Sequence, residues 1–321
     1  MQTDTALRAS TDAVTCFHPL APEDAPVVAA MRAAASSHKG EINGPQAKIP
    51  FDAMIGAAPA AADVKTAPGV VGGVRGWWCR PLAARPNARL LYVHGGGYVL
   101  GSARAFCNIV SQIAQRTRTD TFIPEYRLAP EHSFPAALDD VCAAYRGLAE
   151  GGPEAVAVAG ESAGGGLVLA LLSVAAQDTR AMPLPCGAAV ISPWTDLALT
   201  GASYRDRADA DPIFTRGSLG SLAGHYLQGQ DATDPRASPL HGPLGGLPPI
   251  RIDVGEDEVL LDDSRRYAER ARAAGVEVTL SVWAGMAHAF PSSVGKLAAA
   301  GQALDAIGTF LSQRLEARSM T

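Results

Sequence analysis

Cysteine pairs, a basic stripe and long apolar runs are all missing from this chain, and each absence narrows what it can be. The five cysteines (Cys16, Cys79, Cys107, Cys142 and Cys186) are odd in number, scattered, and contain no C-x-x-C. That pattern excludes a dense disulfide framework and a cysteine-based zinc site, and it points to a reducing compartment. No H-E-x-x-H or similar metal spacing occurs among the seven histidines. Charged residues make up 18% of the chain, with a net charge of −5 and no Lys/Arg stripe, so a nucleic-acid surface is not expected. G-x-x-x-x-G-K-[ST] is missing, which argues against a P-loop. The longest strongly apolar run, residues 167–176, is too short to span a bilayer. Residues 1–16 carry one arginine and no apolar core, unlike a secretory signal. The expectation is a cytoplasmic protein with no nucleic-acid partner and no stable membrane insertion.

What is present is a large apolar complement. Hydrophobic residues are 47% of 321, enough for one large α/β domain with an appendage or for two smaller domains. Residues 1–70 are rich in Ala and Pro. A helix is expected over 22–37, followed by Pro45, Pro50, Pro59 and Pro68, and the segment reads as a cap lying across something else, with a flexible arm as the competing reading. From there the texture alternates. Residues 74–81 read as an edge strand ending at proline, and 89–93 as a buried strand. Further strands are expected at 121–123, 155–159, 188–191, 250–255 and 276–282. Helices are expected at 103–117, 136–148, 167–176, 264–274 and 296–314. Strand–helix alternation at this spacing predicts a mostly parallel, doubly wound central sheet flanked by helices, with its ligand site beyond the C-terminal strand ends. Between 195 and 246 the alternation breaks into Pro, Gly and Asp around a candidate helix at 218–228, which reads as an inserted cap. The partition is therefore an N-terminal cap segment 1–70, catalytic parts 71–194 and 247–321, and a cap insertion 195–246.

Two glycine-rich turns fall at strand ends. Gly160-Glu161-Ser162-Ala163-Gly164 sits between a buried strand and a buried helix, the pattern of a nucleophile elbow. A Cβ at either flanking glycine would crowd neighbouring backbone, while Ser162 is held with its Oγ above the sheet. The Ala163 N–H lies at a helix N-terminus, where developing negative charge is favoured. His94-Gly95-Gly96-Gly97-Tyr98 follows an earlier strand and offers several N–H groups to one point. In a G-x-S-x-G hydrolase such a turn supplies the other half of an oxyanion hole.

A serine nucleophile needs a base oriented by a carboxylate, in the chain order Ser, acid, His. His288 lies on the loop after the last strand, and the acid cluster 256–258 on the loop after the preceding one. Spacing alone does not separate Asp257 from Glu258. His94 is expected to brace the glycine turn, whereas His18, His38, His225 and His241 read as solvated. Asp139-Asp140 and Asp262-Asp263 read as helix-end or surface carboxylates. Tyr98, Trp194 and Phe214 are candidate pocket walls, with core packing the competing reading for each.

Together His94-Gly95-Gly96-Gly97, Tyr126-Arg127-Leu128-Ala129-Pro130-Glu131, Gly160-Glu161-Ser162-Ala163-Gly164, Asp211-Pro212 and Gly285-Met286-Ala287-His288 resemble the bacterial hormone-sensitive-lipase-like (family IV) esterases of the α/β-hydrolase fold. The resemblance runs from about residue 70 to the C-terminus. It implies hydrolysis of small-molecule carboxylic esters of short to medium acyl chain, through an acyl-enzyme and without a cofactor. It also implies Ser162 as nucleophile, His288 as general base, the N–H groups of Gly96, Gly97 and Ala163 as oxyanion donors, and a helical cap over the acyl pocket. A homodimer is within the family's range. The chain departs at the elbow, where Glu161 replaces the common Asp. It departs also at the acid, where the usual Asp-Pro-Leu-x-Asp, aligned on Leu260 and Asp262, puts Glu258 at the first position. The register favours Glu258. A lactone hydrolase or a deacetylase would use the same residues. A non-catalytic small-molecule receptor shares the fold, and the presence of His288 weighs against it.

Overall fold

A computed structural model describes residues 14–150, 152–180 and 182–318. The rest, including residues 1–13 of the expected N-terminal cap segment, lie outside the described residues.

The strands, in chain order, are β1 (Thr15–His18), β2 (Val64–Val71), β3 (Val74–Pro81), β4 (Ala88–Val93), β5 (Asp120–Pro124), β6 (Ala155–Glu161), β7 (Ala188–Ile191), β8 (Ile250–Gly255) and β9 (Val278–Trp283). They form a nine-stranded sheet in the order β1-β9-β8-β7-β6-β4-β5-β3-β2. All pairs are parallel except β2–β3 and β3–β5. The helices are α1 (Ala25–Ala35), α2 (Lys48–Gly56), α3 (Cys107–Thr117), α4 (Ala136–Glu150), α5 (Ala163–Gln177), α6 (Ser203–Asp206), α7 (Arg216–Leu227), α8 (Leu261–Ala273) and α9 (Ala298–Arg318). This is the expected α/β-hydrolase architecture. Every residue of β6 and β7 is buried, as parallel strands covered on both faces require. α5, threaded behind the sheet, buries most of its surface for the same reason.

Two expectations are corrected. Residues 74–81 do form a strand, but β2 pairs outside it and is the true edge. Gly72 and Gly73, with φ of +56° and +79°, make the two-residue turn that folds β2 back onto β3. Pro68 then lies on the outermost strand, where a missing donor costs least. At the other edge β1 runs parallel to β9. Two stretches of the segment expected to be a cap, Thr15–His18 and Val64–Val71, are thus sheet strands.

α1 and α2 are the part of that segment that packs over the C-terminal strand ends. Asp24 anchors α1: its carboxylate accepts from the N–H groups of Ala298 and Ala299 at 2.7 and 2.9 Å, capping α9. Val28 packs with Met286, Phe290 and Leu297 in a small apolar cluster of its own. The inserted segment 195–246 is fastened by Asp263, which accepts from the N–H groups of Thr195 and Asp196 and from Tyr204 Oη, each at 2.9 Å. Asp263 is therefore fully buried rather than a surface carboxylate. Burial raises its pKa to about 7 against the pull of those donors. His241 is likewise not simply solvated, since its Nε2 lies 3.0 Å from Asp196. Nor is His18, which stacks on Trp283 with ring centroids 3.7 Å apart.

Candidate active site

Ser162 caps α5 from a strained backbone, φ +54° and ψ −124°, in the turn between β6 and α5. The flanking glycines allow that turn. A Cβ on Gly164 would lie 2.2 Å from Val93 O, and one on Gly160 would lie 2.7 Å from Gly164 O. The strained serine is pinned by backbone bonds from its own N–H to Ile191 O and from Trp194 N–H to its carbonyl.

The glycine turn after β4 faces it. Gly96 (φ +118°) leaves no room for a side chain, because a Cβ would lie 2.2 Å from Leu100 O. Gly96 and Gly97 line the same cavity as Ser162. Among the described residues the N–H groups of Gly96, Gly97 and Ala163 make no hydrogen bond to a backbone acceptor in the turns and loops. His94 braces this turn as expected. Its ring stacks on Tyr126 at 4.2 Å, Tyr126 Oη donates to its carbonyl at 2.9 Å, and its Nδ1 lies 2.8 Å from Gly95 O. Burial lowers its pKa to about 4, so it is a neutral structural ring.

The acid loop after β8 and the histidine loop after β9 meet beside the elbow. Three consecutive acids there take three different partners. Glu256 pairs with Arg207 at 3.4 Å, Asp257 pairs with Arg32, and Glu258 Oε2 lies 2.6 Å from His288 Nδ1. Glu258 is fully buried, and its other oxygen accepts from Ser192 Oγ and Gly255 N–H, each at 2.7 Å. Next to it, the buried Asp211 accepts from Val259 N–H at 2.9 Å and from the N–H groups of Ile213 and Phe214 at 2.8 Å. His288 is 8% exposed, and its Nε2 has no partner among the described residues. Burial pulls the His288 pKa down, but the Glu258 carboxylate, with Asp211 and Glu161 behind it, outweighs this and holds it above the ordinary value.

Glu161 is a third buried acid of the site. Burial raises its pKa to about 7, while nearby His288 and a 3.2 Å hydrogen bond from Tyr92 Oη oppose the rise.

The cavity holding Ser162 and His288 measures about 250 Å³ and is walled mainly by apolar residues of α1, α2 and the loops 212–214 and 285–297. Of the three aromatic wall candidates only Phe214 lines it, its ring edge-on to His288 at 5.1 Å. Tyr98 and Trp194 are corrected to core residues. Tyr98 turns away behind the glycine loop to stack on Tyr226 at 4.0 Å and to pack against the fully buried Trp194.

Sequence reasoning passed over Ser192 and Arg32. Ser192, at the end of β7, has φ +47°, which aims its hydroxyl at Glu258 and lets it accept from Ala289 N–H. Its place at a C-terminal strand end was the available signal. Arg32 gave none, because its importance comes only from tertiary contact. Among the described residues no cluster of three or more His, Cys, Asp or Glu side chains could hold a metal ion, and no helix is long and apolar enough to cross a membrane.

A family profile described as alpha/beta hydrolase fold matches residues 90–292. An acetyl-hydrolase of Streptomyces hygroscopicus is 42% identical over 237 residues, covering 73% of this chain and 78% of its own. A crystal structure of an esterase from the bacterial hormone-sensitive lipase family superposes with a TM-score of 0.83 at 37% identity, covering 92% of this chain and 99% of that one. The esterase EstE5, in crystals soaked with p-nitrophenyl butyrate, superposes with a TM-score of 0.82 at 38% identity over the same shares. The protein is a carboxylic ester hydrolase. The chain belongs to the α/β-hydrolase family, within the esterases of the bacterial hormone-sensitive-lipase type.

Proposed function

We propose that the chain hydrolyses short- to medium-chain carboxylic esters through an acyl-enzyme on Ser162. The observation that carries this reading is the Glu258–His288 pair at 2.6 Å, with the opposite ring nitrogen unpartnered and Ser162 on the same cavity. Glu258 fixes the tautomer that leaves Nε2 free to accept the Ser162 proton as Oγ attacks the ester carbonyl. The tetrahedral oxyanion is received by the N–H groups of Gly96, Gly97 and Ala163, the last backed by the α5 dipole. The protonated His288 then gives its proton to the departing alkoxide. In the second half His288 removes a proton from water, whose oxygen attacks the acyl carbon, and returns it to Ser162 as the acid leaves.

The acyl group occupies the cavity under α1 and α2, so those helices and the 195–246 segment act together as the cap. At about 250 Å³ the cavity falls below the roughly 300–1,000 Å³ of sites for drug-sized ligands, which supports short rather than long acyl chains. A second reading, removal of acetyl groups from a larger alcohol or amine, is supported by the similarity to the acetyl-hydrolase.

The test is turnover of a p-nitrophenyl ester series from acetyl to lauroyl, together with N-acetyl and lactone substrates. A maximum at butyryl to hexanoyl supports the ester reading, and sharp preference for acetyl supports the second. No turnover of any of them by folded protein would overturn both.

A further inference from the structure

We propose that Arg32, on cap helix α1, is a positioning residue that locks the acid loop, the histidine loop and the inserted cap segment into one arrangement. Its guanidinium donates to three places at once. One nitrogen bonds the Ala210 carbonyl, and another bonds the Asp257 carboxylate and reaches the Gly285 carbonyl at 3.3 Å.

Each of these acceptors sits close in sequence to a residue of the proposed reaction machinery or its support. Asp257 precedes Glu258. Gly285 opens the Gly285-Met286-Ala287-His288 turn. Ala210 precedes Asp211, whose carboxylate grips Val259 N–H on the far side of Glu258. The peptide carrying Glu258 is thus held through Asp257 by one cap segment and through Val259 by the other. A hydrogen bond from Asp257 N–H to Met286 O at 3.1 Å ties the acid and histidine loops directly beneath the guanidinium.

Arginine's planar fork holds acceptors from three separate segments in one fixed geometry, which a lysine ammonium on its flexible stem does not. The ion pair is partly shielded, with the Arg32 and Asp257 side chains 29% and 21% exposed, so it is more than a loose surface contact. Lys39 provides a built-in comparison. It also pins the N-terminal cap to the inserted segment, at the Ala208 carbonyl, and among the described residues it has no hydrogen bond to the acid or histidine loop.

The proposal rests on the esterase reading, and the experiment separates the two. Wild type, Arg32→Ala, Arg32→Lys, Asp257→Asn, the Arg32→Ala/Asp257→Asn double variant and Lys39→Ala are compared on p-nitrophenyl butyrate for kcat, KM and pH profile. Circular dichroism checks folding. An inert wild type sinks the esterase reading itself.

With wild type active, Arg32→Ala is expected to lose kcat roughly ten- to a hundredfold, the scale of a small misplacement at reacting atoms. Arg32→Lys should recover little of this. The acid limb of kcat/KM should move to lower pH, because His288 loses part of its Glu258 support. Asp257→Asn should fall less, and the double variant should match Arg32→Ala because the Asp257 carboxylate acts only through its contact with Arg32. A rise in KM alone, an unmoved acid limb, or equal losses in Arg32→Ala and Lys39→Ala would each overturn the proposal, leaving Arg32 as a cap anchor only. If Arg32→Ala does not fold, Arg32→Lys decides, and a wild-type kcat and pH profile there would contradict the proposal.

Discussion

Glu258 lies 2.6 Å from His288 Nδ1, while its neighbour Asp257 turns the other way to Arg32. Adjacent carboxylates of nearly identical chemistry are sorted by the backbone into one that pairs with the histidine and one that pairs with the cap. Glu258→Gln should therefore cost roughly 10⁴-fold in kcat, as loss of the orienting acid does in comparable triads, because an amide supports the wrong tautomer. Asp257→Asn should stay far above it. Steady-state kinetics on one p-nitrophenyl ester decides the order, and the reverse order would move the acid assignment to Asp257.

The acid limb of kcat/KM reports the proton that must leave His288 before it can act as a base. Burial lowers that pKa, but the Glu258 carboxylate more than offsets it, so the limb should fall above the ordinary histidine value of 6.5. Activity is expected to climb as pH rises through that limb. A pH–rate profile of wild type checks this, and a limb below 6.5 would mean that burial of His288 outweighs the carboxylates around it.

Ser192 donates to Glu258 Oε1 at 2.7 Å and has no group of its own in the cavity. A hydrogen bond to a charged group is worth about 1.5–3 kcal/mol, so Ser192→Ala should lower kcat about ten- to a hundredfold with KM little changed. Unchanged kcat would mean that Gly255 N–H suffices to hold the acid.

Glu161 bears on stability. Its folded pKa of about 7 exceeds its ordinary value of 4.5 because burial disfavours the charged form. A raised folded pKa gives stability that is fully present below the unfolded value and is lost as pH rises through the folded one. Between 4.5 and about 7 the wild type should thus weaken. Glu161→Gln keeps the shape without the charge and should melt higher than wild type at pH 8, by on the order of 1–3 kcal/mol, with little difference at pH 4. Equal melting temperatures at pH 8 would show that the carboxylate is well compensated where it lies.

The fold was legible because its central strands are short apolar runs bounded by turn residues, and their order along the chain forces the parallel topology. β1 and β2 were not legible. β1 has only four residues, and β2 carries Pro68 and Gly69 in a half-exposed pattern that scores as loop until its neighbour is known. Ser162 and His288 stand out in the sequence because the first sits between glycines in a strand–helix turn and the second in a turn opened by Gly285 after the last strand. The acid could not be read from spacing, since residues 256–258 are all acidic, and the alignment on Leu260 and Asp262 supplied the register. Tyr98 and Trp194 show the opposite limit: adjacency to a catalytic motif says nothing about which side of the backbone a ring occupies. Asp263 was misplaced for a similar reason, since its donors come from a segment nearly seventy residues away.

The central claim is that Ser162 carries the acyl group. Wild type mixed rapidly with p-nitrophenyl butyrate, quenched in acid and digested, should yield a butyrylated peptide containing Ser162 within the first turnover. Ser162→Ala should yield none and should lose roughly 10⁴-fold or more in turnover. Turnover by wild type with no acyl adduct, or with the adduct on another residue, would contradict the account.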